Sequence, residues 1–225
     1  MTFERPAALE INHARLAHLA SLGLPLDGTC VLEVGAGTGL LGEFFEARGL
    51  AVTSTDGRTE NVRAIRTRYP SRRAECLDLN RTGSHDKLGH FGVVFCYGAL
   101  YHTADPALVL ADLARVCGRM LLLETIVWHE DDGRVHPTGD NAALADQSLD
   151  GRGCRPARDW LWRELGRRFP FVYAARTQPA HVEFPLWWPV SQGNNARAVF
   201  VAANEELNLP TLAPYLPRVY ARLSV

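Results

Sequence analysis

Three glycines at alternate positions behind a short apolar run constrain this chain more than any other feature. Residues 31–34 read Val-Leu-Glu-Val, and Gly35-Ala36-Gly37-Thr38-Gly39 follow directly. An apolar run of this length bounded by glycine is the pattern of a buried parallel strand. Glycine reaches positive φ without steric cost, so a tight turn can follow and a ligand can approach bare backbone. Leu40, Leu41, Phe44 and Phe45 then recur at helical spacing, which predicts a helix over residues 40–48 stopped by Gly49. Strand, glycine turn and helix form the unit that sets a nucleotide-like ligand at a helix N-terminus.

Two ligand classes use that unit, and register separates them. Gly37-Thr38-Gly39-Leu40-Leu41-Gly42 matches G-x-G-x-x-G, but it begins two residues late after the strand for a dinucleotide turn. In register the segment reads acid-x-Gly-x-Gly-x-Gly, with Glu33 ahead of the turn. A carboxylate there is awkward beside a pyrophosphate and suits a ligand that carries an ammonium and a sulfonium. Glu33 through Gly39 resembles motif I of the class I S-adenosylmethionine (SAM) dependent methyltransferases. The resemblance implies SAM as cofactor, with Glu33, Gly35, Ala36, Gly37 and Gly39 against it.

The rest of the chain supplies the frame. Residues 7–22 predict an amphipathic helix with Pro6 in its first turn, packed outside the sheet or over the ligand mouth. Its polar residues Asn12, His13 and Arg15 read as an ordinary solvent face. Residues 51–56 form a β-rich run ending in Asp56, about twenty residues after Gly35, the distance at which an acid meets ribose hydroxyls in such units. Asp56 and the adjoining Gly57 are therefore expected at the cofactor; the plainer reading of Asp56 is a strand-end turn. Residues 59–69 predict a helix, and its arginines read as a solvated face. Residues 74–78 predict a third strand, and the resemblance places Asp78 and Leu79 beside the adenine. Residues 92–97 and 119–127 are apolar throughout and predict central strands. Asp105-Pro106 opens a helix by N-cap and Pro-at-N1 logic. Later runs at residues 171–173 and 198–202 supply the last two strands of a doubly wound, Rossmann-like, seven-stranded and mostly parallel α/β sheet with one antiparallel strand. The tail, residues 207–225, is apolar enough to pack on its own core or on a partner. No composition break marks a second domain, so residues 1–225 read as one domain.

Ligands of such sheets bind at the carboxyl ends of the strands, where Gly35–Gly39, Asp56, Asp78, Tyr97–His102 and Glu124 all fall. Gly98-Ala99-Leu100-Tyr101-His102-Thr103-Ala104-Asp105-Pro106 resembles the G-x-L-Y-H-x-x-D-P segment of many small-molecule methyltransferases. His102 is the first candidate base, with Tyr97 and Tyr101 orienting an acceptor or facing the sulfonium. Residues 128–156 are polar and aperiodic and leave a strand's carboxyl end, which predicts a lid. Asn141, Arg155, Tyr173 and His181 are the candidate acceptor contacts, Arg155 as a clamp for a carboxylate or phosphate.

The end of the fourth strand narrows the chemistry further. Cys96-Tyr97-Gly98 is neither the Asn/Asp-Pro-Pro-Tyr/Phe of amino-methylating enzymes nor a Pro-Cys nucleophile, and it offers no carboxylate for a catechol-type metal. No metal is expected. The reading is a SAM-dependent methyltransferase acting on an oxygen or nitrogen of a small molecule, such as a sugar or natural-product intermediate. The alternatives are a SAM cyclase of the same fold, giving azetidine-2-carboxylate and methylthioadenosine, and a non-catalytic SAM-binding module. A formal net charge of −1 gives no global case for nucleic acid or an anionic membrane. Five scattered cysteines without a C-x-x-C pair suit a reducing compartment, so a cytoplasmic monomer or homodimer is expected.

Overall fold

A computed structural model of the chain describes residues 2–192 and 195–223. In chain order the elements are α1 (Pro6–Ser21), β1 (Cys30–Val34), α2 (Glu43–Glu46), β2 (Ala51–Asp56), α3 (Thr59–Arg68), β3 (Arg73–Cys76), β4 (Phe91–Tyr97), α4 (Pro106–Val116) and β5 (Cys117–Val127). After them come β6 (Val135–Gly139), β7 (Arg152–Pro156), α5 (Arg158–Gly166), β8 (Phe171–Ala175), β9 (Thr177–Gln178), β10 (Ala196–Ala203), β11 (Leu212–Ala213) and β12 (Ala221–Arg222). The main sheet runs β11-β8-β10-β5-β4-β1-β2-β3. β1 to β5 pair parallel, and β10 runs antiparallel to both β5 and β8. The seven strands read from the sequence are present; β11 extends the edge by two residues.

The central strands bury both faces, so alternate residues enter opposite cores. Val94, Cys96, Leu121, Leu123 and Phe200 pack with Leu110 and Leu113 of α4 and Leu161 and Leu165 of α5. Val93, Phe95, Leu122 and Val201 pack with Leu19 of α1 and Phe45 of α2. Helices on both faces make the sheet doubly wound. Carboxylate Asp105 caps α4, accepting from the Ala107 and Leu108 amides at 3.1 Å each.

Three expectations need correction. The helix expected over residues 40–48 shrinks to Glu43–Glu46, with residues 40–42 and 47–49 closing as turns on either side and Gly39 before them at φ of 80°. The segment expected to form a lid is partly regular: β6 and β7 pair as an antiparallel ribbon, with residues 140–151 looping between them. Its strands carry few apolar residues, so pairing and not periodicity makes them. The N-terminal helix does not turn all its polar side chains to solvent. His13 is exposed, but Arg15 is buried. In the tail, Leu212 and Tyr220 are buried while Tyr215 and Val219 are exposed; its last two residues lie outside the described ones. Among the described residues no helix is long and apolar enough to cross a membrane.

Candidate active site

The turn after β1 is built as bare backbone. Gly35, Gly37 and Gly39 take φ of 65°, 55° and 80°. A Cβ on Gly35 would stand 2.4 Å from that of Ala99, and one on Gly37 would strike the Phe3 ring at 2.6 Å. The turn is stitched to β2: the Ala36 amide donates to the Thr55 carbonyl at 2.9 Å, and the Gly37 amide to Asp56 Oδ2 at 2.9 Å. Asp56 Oδ1 accepts from the Arg58 amide at 2.9 Å and from Asn61 Nδ2 at 3.0 Å. Burial raises the Asp56 pKa, and these three donors oppose the rise.

Two residues of the motif face elsewhere. Glu33 is buried beneath the turn, where Oε2 accepts from Ser54 Oγ at 2.6 Å and lies 3.6 Å from Arg72 Nη1. Burial pushes its carboxyl up to about 7. The expected meeting of Glu33 with the ligand's cations is therefore replaced by a brace under the cleft. Gly39 is also turned away from the cleft, its carbonyl accepting from Arg72 Nη1 at 2.6 Å.

Above the turn the cleft has two lobes. The narrow one, about 100 Å³, is walled by Asp56, Gly57, Asp78, Leu79 and Ala99 and roofed by residues 145–149. The broad one, about 430 Å³, is lined by Ala36, Tyr97, Tyr101, Arg155, His181 and Arg197, with α1 along one side. Phe3, Gly35, Gly98 and His102 border both.

His102 reaches that shared position through a tight turn after β4. Gly98 takes φ of 74°, and the His102 and Thr103 amides donate back to the Ala99 and Leu100 carbonyls at 3.0 and 3.1 Å. β7 presses on this turn so closely that a Cβ on Gly153 would stand 2.7 Å from the Tyr101 carbonyl oxygen. His102 Nδ1 lies 2.5 Å from Asp140 Oδ2, and no hydrogen bond reaches Nε2 from the described residues. Burial lowers the His102 pKa against the pull of Asp140. Tyr97 is buried with its hydroxyl unpartnered among the described residues; burial, aided by Glu124, pushes its phenol up.

A buried ionic ladder crosses the floor of the broad lobe. Arg15 Nη2 meets Glu124 Oε2 at 2.7 Å, Arg197 Nη1 meets Glu124 Oε1 at 3.1 Å, and Arg197 Nε meets Glu183 Oε2 at 2.5 Å. Arg155 also lines the lobe, over the Tyr101 ring, and has no carboxylate within 4.0 Å among the described residues.

Two candidate acceptor contacts are not at the cleft. Asn141 is exposed and caps its own loop, accepting from the Ala143 amide at 3.0 Å. Tyr173 lies on a far groove, its hydroxyl accepting from the Leu207 amide at 2.9 Å. Phe3, Arg15, Asp140, Glu183 and Arg197 stand at the cleft although no motif singles them out. Asp140 had one available signal, an acid within a polar insertion above the site.

A family model described as "Methyltransferase domain" matches residues 32–119. A ubiquinone biosynthesis O-methyltransferase of Xanthomonas oryzae pv. oryzae is 33% identical over 120 residues, 49% of this chain and 46% of its own. One of Psychrobacter arcticus is 34% identical over 103 residues, 41% of this chain and 38% of its own. The chain thus spans less than half the length of these curated relatives. Among solved structures, the N-terminal domain of EvdMO1 with SAH bound has a TM-score of 0.66 at 22% identity, covering 85% of this chain and 79% of that one. Magnesium protoporphyrin IX methyltransferase of Synechocystis PCC 6803 with bound SAM has a TM-score of 0.55 at 15% identity, covering 89% and 85%. These two share the fold. The glycine turn fits SAM: Gly35 and Gly37 leave no room for a Cβ beside Ala99 and Phe3, so bare backbone borders the cleft there, and two lobes open from it.

Proposed function

We propose that the chain, whose residues 32–119 match a methyltransferase-domain model, is a class I SAM-dependent methyltransferase that transfers the methyl group of SAM to an oxygen or nitrogen of a small molecule in the broad lobe. The observation that carries this reading is the place of His102, on the border of both lobes with Nε2 bonded to none of the described residues. Bound SAM supplies a methyl on a sulfonium, open to in-line displacement, so positioning provides most of the acceleration. Gly35, Ala36 and Gly37 hold its methionine part, Asp56 and Gly57 its ribose, and Asp78 and Leu79 its adenine. Asp56 Oδ2 takes one protein donor and keeps a lone pair for a ribose hydroxyl. His102 Nε2 removes the acceptor's proton as the new bond forms, and Tyr97 and Tyr101 orient that acceptor. Arg155 and His181 bind its remaining polar groups.

The broad lobe runs on from Gly35, Ala36 and Gly37 to Tyr101, Arg155, His181 and Arg197, and this added space favours methyl transfer over cyclisation of SAM, which needs no acceptor. The O-methyltransferase relatives make hydroxylated acceptors the first to screen. Incubation with SAM and such a panel, followed by mass spectrometry, should yield S-adenosylhomocysteine and a product heavier by one methylene. Methylthioadenosine alone would sink the proposal. His102→Ala should lower turnover by about 10²–10⁴-fold with SAM affinity nearly unchanged; equal losses in both would make His102 structural.

A further inference from the structure

The loop between β6 and β7 lies across the narrow lobe and is tied down from α3 and the turn that leads into it from β2. Leu149 Cδ1 sits over Gly57, 2.6 Å from where a Cβ would stand. Arg58 Nη2 donates to the carbonyls of Ala142, Ser148 and Gln147 at 2.9, 3.1 and 3.2 Å. Asn61 Nδ2 donates to the Ala145 carbonyl at 3.2 Å, and also to Asp56. At the root of the same loop, Asp140 Oδ2 accepts from the Ser148 amide at 3.2 Å and stands 2.5 Å from His102 Nδ1. Hydrogen bonds therefore run unbroken from the Gly37 amide through Asp56, Asn61 and Arg58 into the loop, and from the loop through Asp140 to His102.

We propose that residues 140–149 form a clasp that couples closure over the cofactor lobe to the setting of the base. Asp140 positions His102, and Arg58 positions the clasp. The inference rests on the reading of His102 as the base for methyl transfer. An ionised carboxylate only accepts, so Asp140 fixes the proton on Nδ1 and leaves the lone pair of Nε2 for the acceptor. It also offsets the positive charge that the ring gains on taking the proton. With a side chain only 4% exposed, Asp140 is held in place by the clasp, and the clasp by Arg58. The groups facing His102 are Asp140 from the clasp, Tyr101 from its own turn, Arg155 from β7 and Arg197 from β10. The two guanidiniums oppose an imidazolium, so Asp140 is the one charge among them that favours it.

The test reads His102 directly. Protein labelled with ring-¹⁵N histidine is titrated by NMR with S-adenosylhomocysteine bound, the His102 signal being assigned by its loss in His102→Gln. Wild type should show the Nδ1–H tautomer. Asp140→Asn should titrate about one pH unit lower, and Arg58→Met should move the same way although it touches no atom of the ring. Should Asp140→Asn not fold, Asp140→Ser takes its place. In kinetics the acid limb of kcat/KM against pH should move down with the ring, and kcat should fall about 10-fold or more in both variants. Arg58→Met, Asp140→Asn together should be no slower than Asp140→Asn alone. A titration unmoved in Arg58→Met reduces the clasp to a cover, and one unmoved in Asp140→Asn removes Asp140 from positioning; either overturns the coupling. Shifts as expected in a protein that methylates no acceptor would uphold the coupling and overturn the methyl-transfer reading alone.

Discussion

Asp56 and Glu33 are both buried carboxylates beside the glycine turn, yet they answer to different tests. Asp56 holds three donors, two of them backbone amides, so Asp56→Ala orphans the buried Gly37 amide and the half-buried Arg58 amide and leaves Asn61 Nδ2 only the Ala145 carbonyl. An unsatisfied buried donor costs about 1–3 kcal/mol, and a loss of at least that size is expected in denaturant unfolding. Affinity for S-adenosylhomocysteine should fall with it in calorimetry, since the Gly37 turn loses its anchor. Affinity lost with stability intact would make Asp56 a ligand contact and nothing more. Glu33 is governed by pH. Its carboxyl is raised from an ordinary 4.5 to about 7, chiefly by burial. Between those values the folded chain keeps a proton that the unfolded chain has released, so the group's contribution to stability falls as pH rises through that window. Glu33→Gln removes that dependence. Relative to wild type, the variant should gain in urea midpoint between pH 5 and pH 8, and parallel midpoints across that range would refute the assignment.

Elements were legible where one local signal decided them. Asp105-Pro106 announced α4, and the carboxylate does cap two amides. Asp105→Ala should therefore cost about 1 kcal/mol, read as a lowered denaturation midpoint with the slope unchanged. Glu33-x-Gly-x-Gly-x-Gly likewise predicted a glycine turn at the floor of the cleft, although the side chain of the acid faces the other way. Helix α2 shows the limit. Leu40, Leu41, Phe44 and Phe45 have helical spacing, yet only Glu43–Glu46 are helical, and Gly42, itself at helical angles, is packed so that its would-be Cβ stands 2.7 Å from both Glu33 Oε2 and Arg72 Nη1. That contact spans chain segments and has no trace in the periodicity. The ribbon of β6 and β7 was hidden for a related reason. Val135-His136-Pro137-Thr138-Gly139 is not an apolar run, and its partner strand lies beyond a long loop.

The alternation of strands and helices foretold that five parallel strands would end on one edge, and with it the location of Asp56, Asp78 and His102. It said nothing of which distant segments close over that edge. Phe3, Arg15, Glu183 and Arg197 come from the two ends of the chain, and only the folded sheet brings them to the cleft. Glu124 is their meeting point: fully buried at the end of β5, it accepts Arg15 from α1 and Arg197 from β10, and Arg197 in turn holds Glu183. Burying such charges is costly, and the geometry compensates only while every charge has its partner. Glu124→Gln keeps the shape but leaves Arg15 without a carboxylate and Arg197 with Glu183 alone. Removing one member of a buried ion pair costs about 3–5 kcal/mol, and a loss of that order is expected in the unfolding free energy. Because the ladder fastens α1 to the sheet, hydrogen exchange should quicken along α1 more than along α4, which the ladder does not touch. Since α1 walls the broad lobe, acceptor KM should rise more than SAM KM. A variant that unfolds like wild type, with α1 equally protected, would show that apolar contacts such as Leu19 and Leu22 hold the helix unaided.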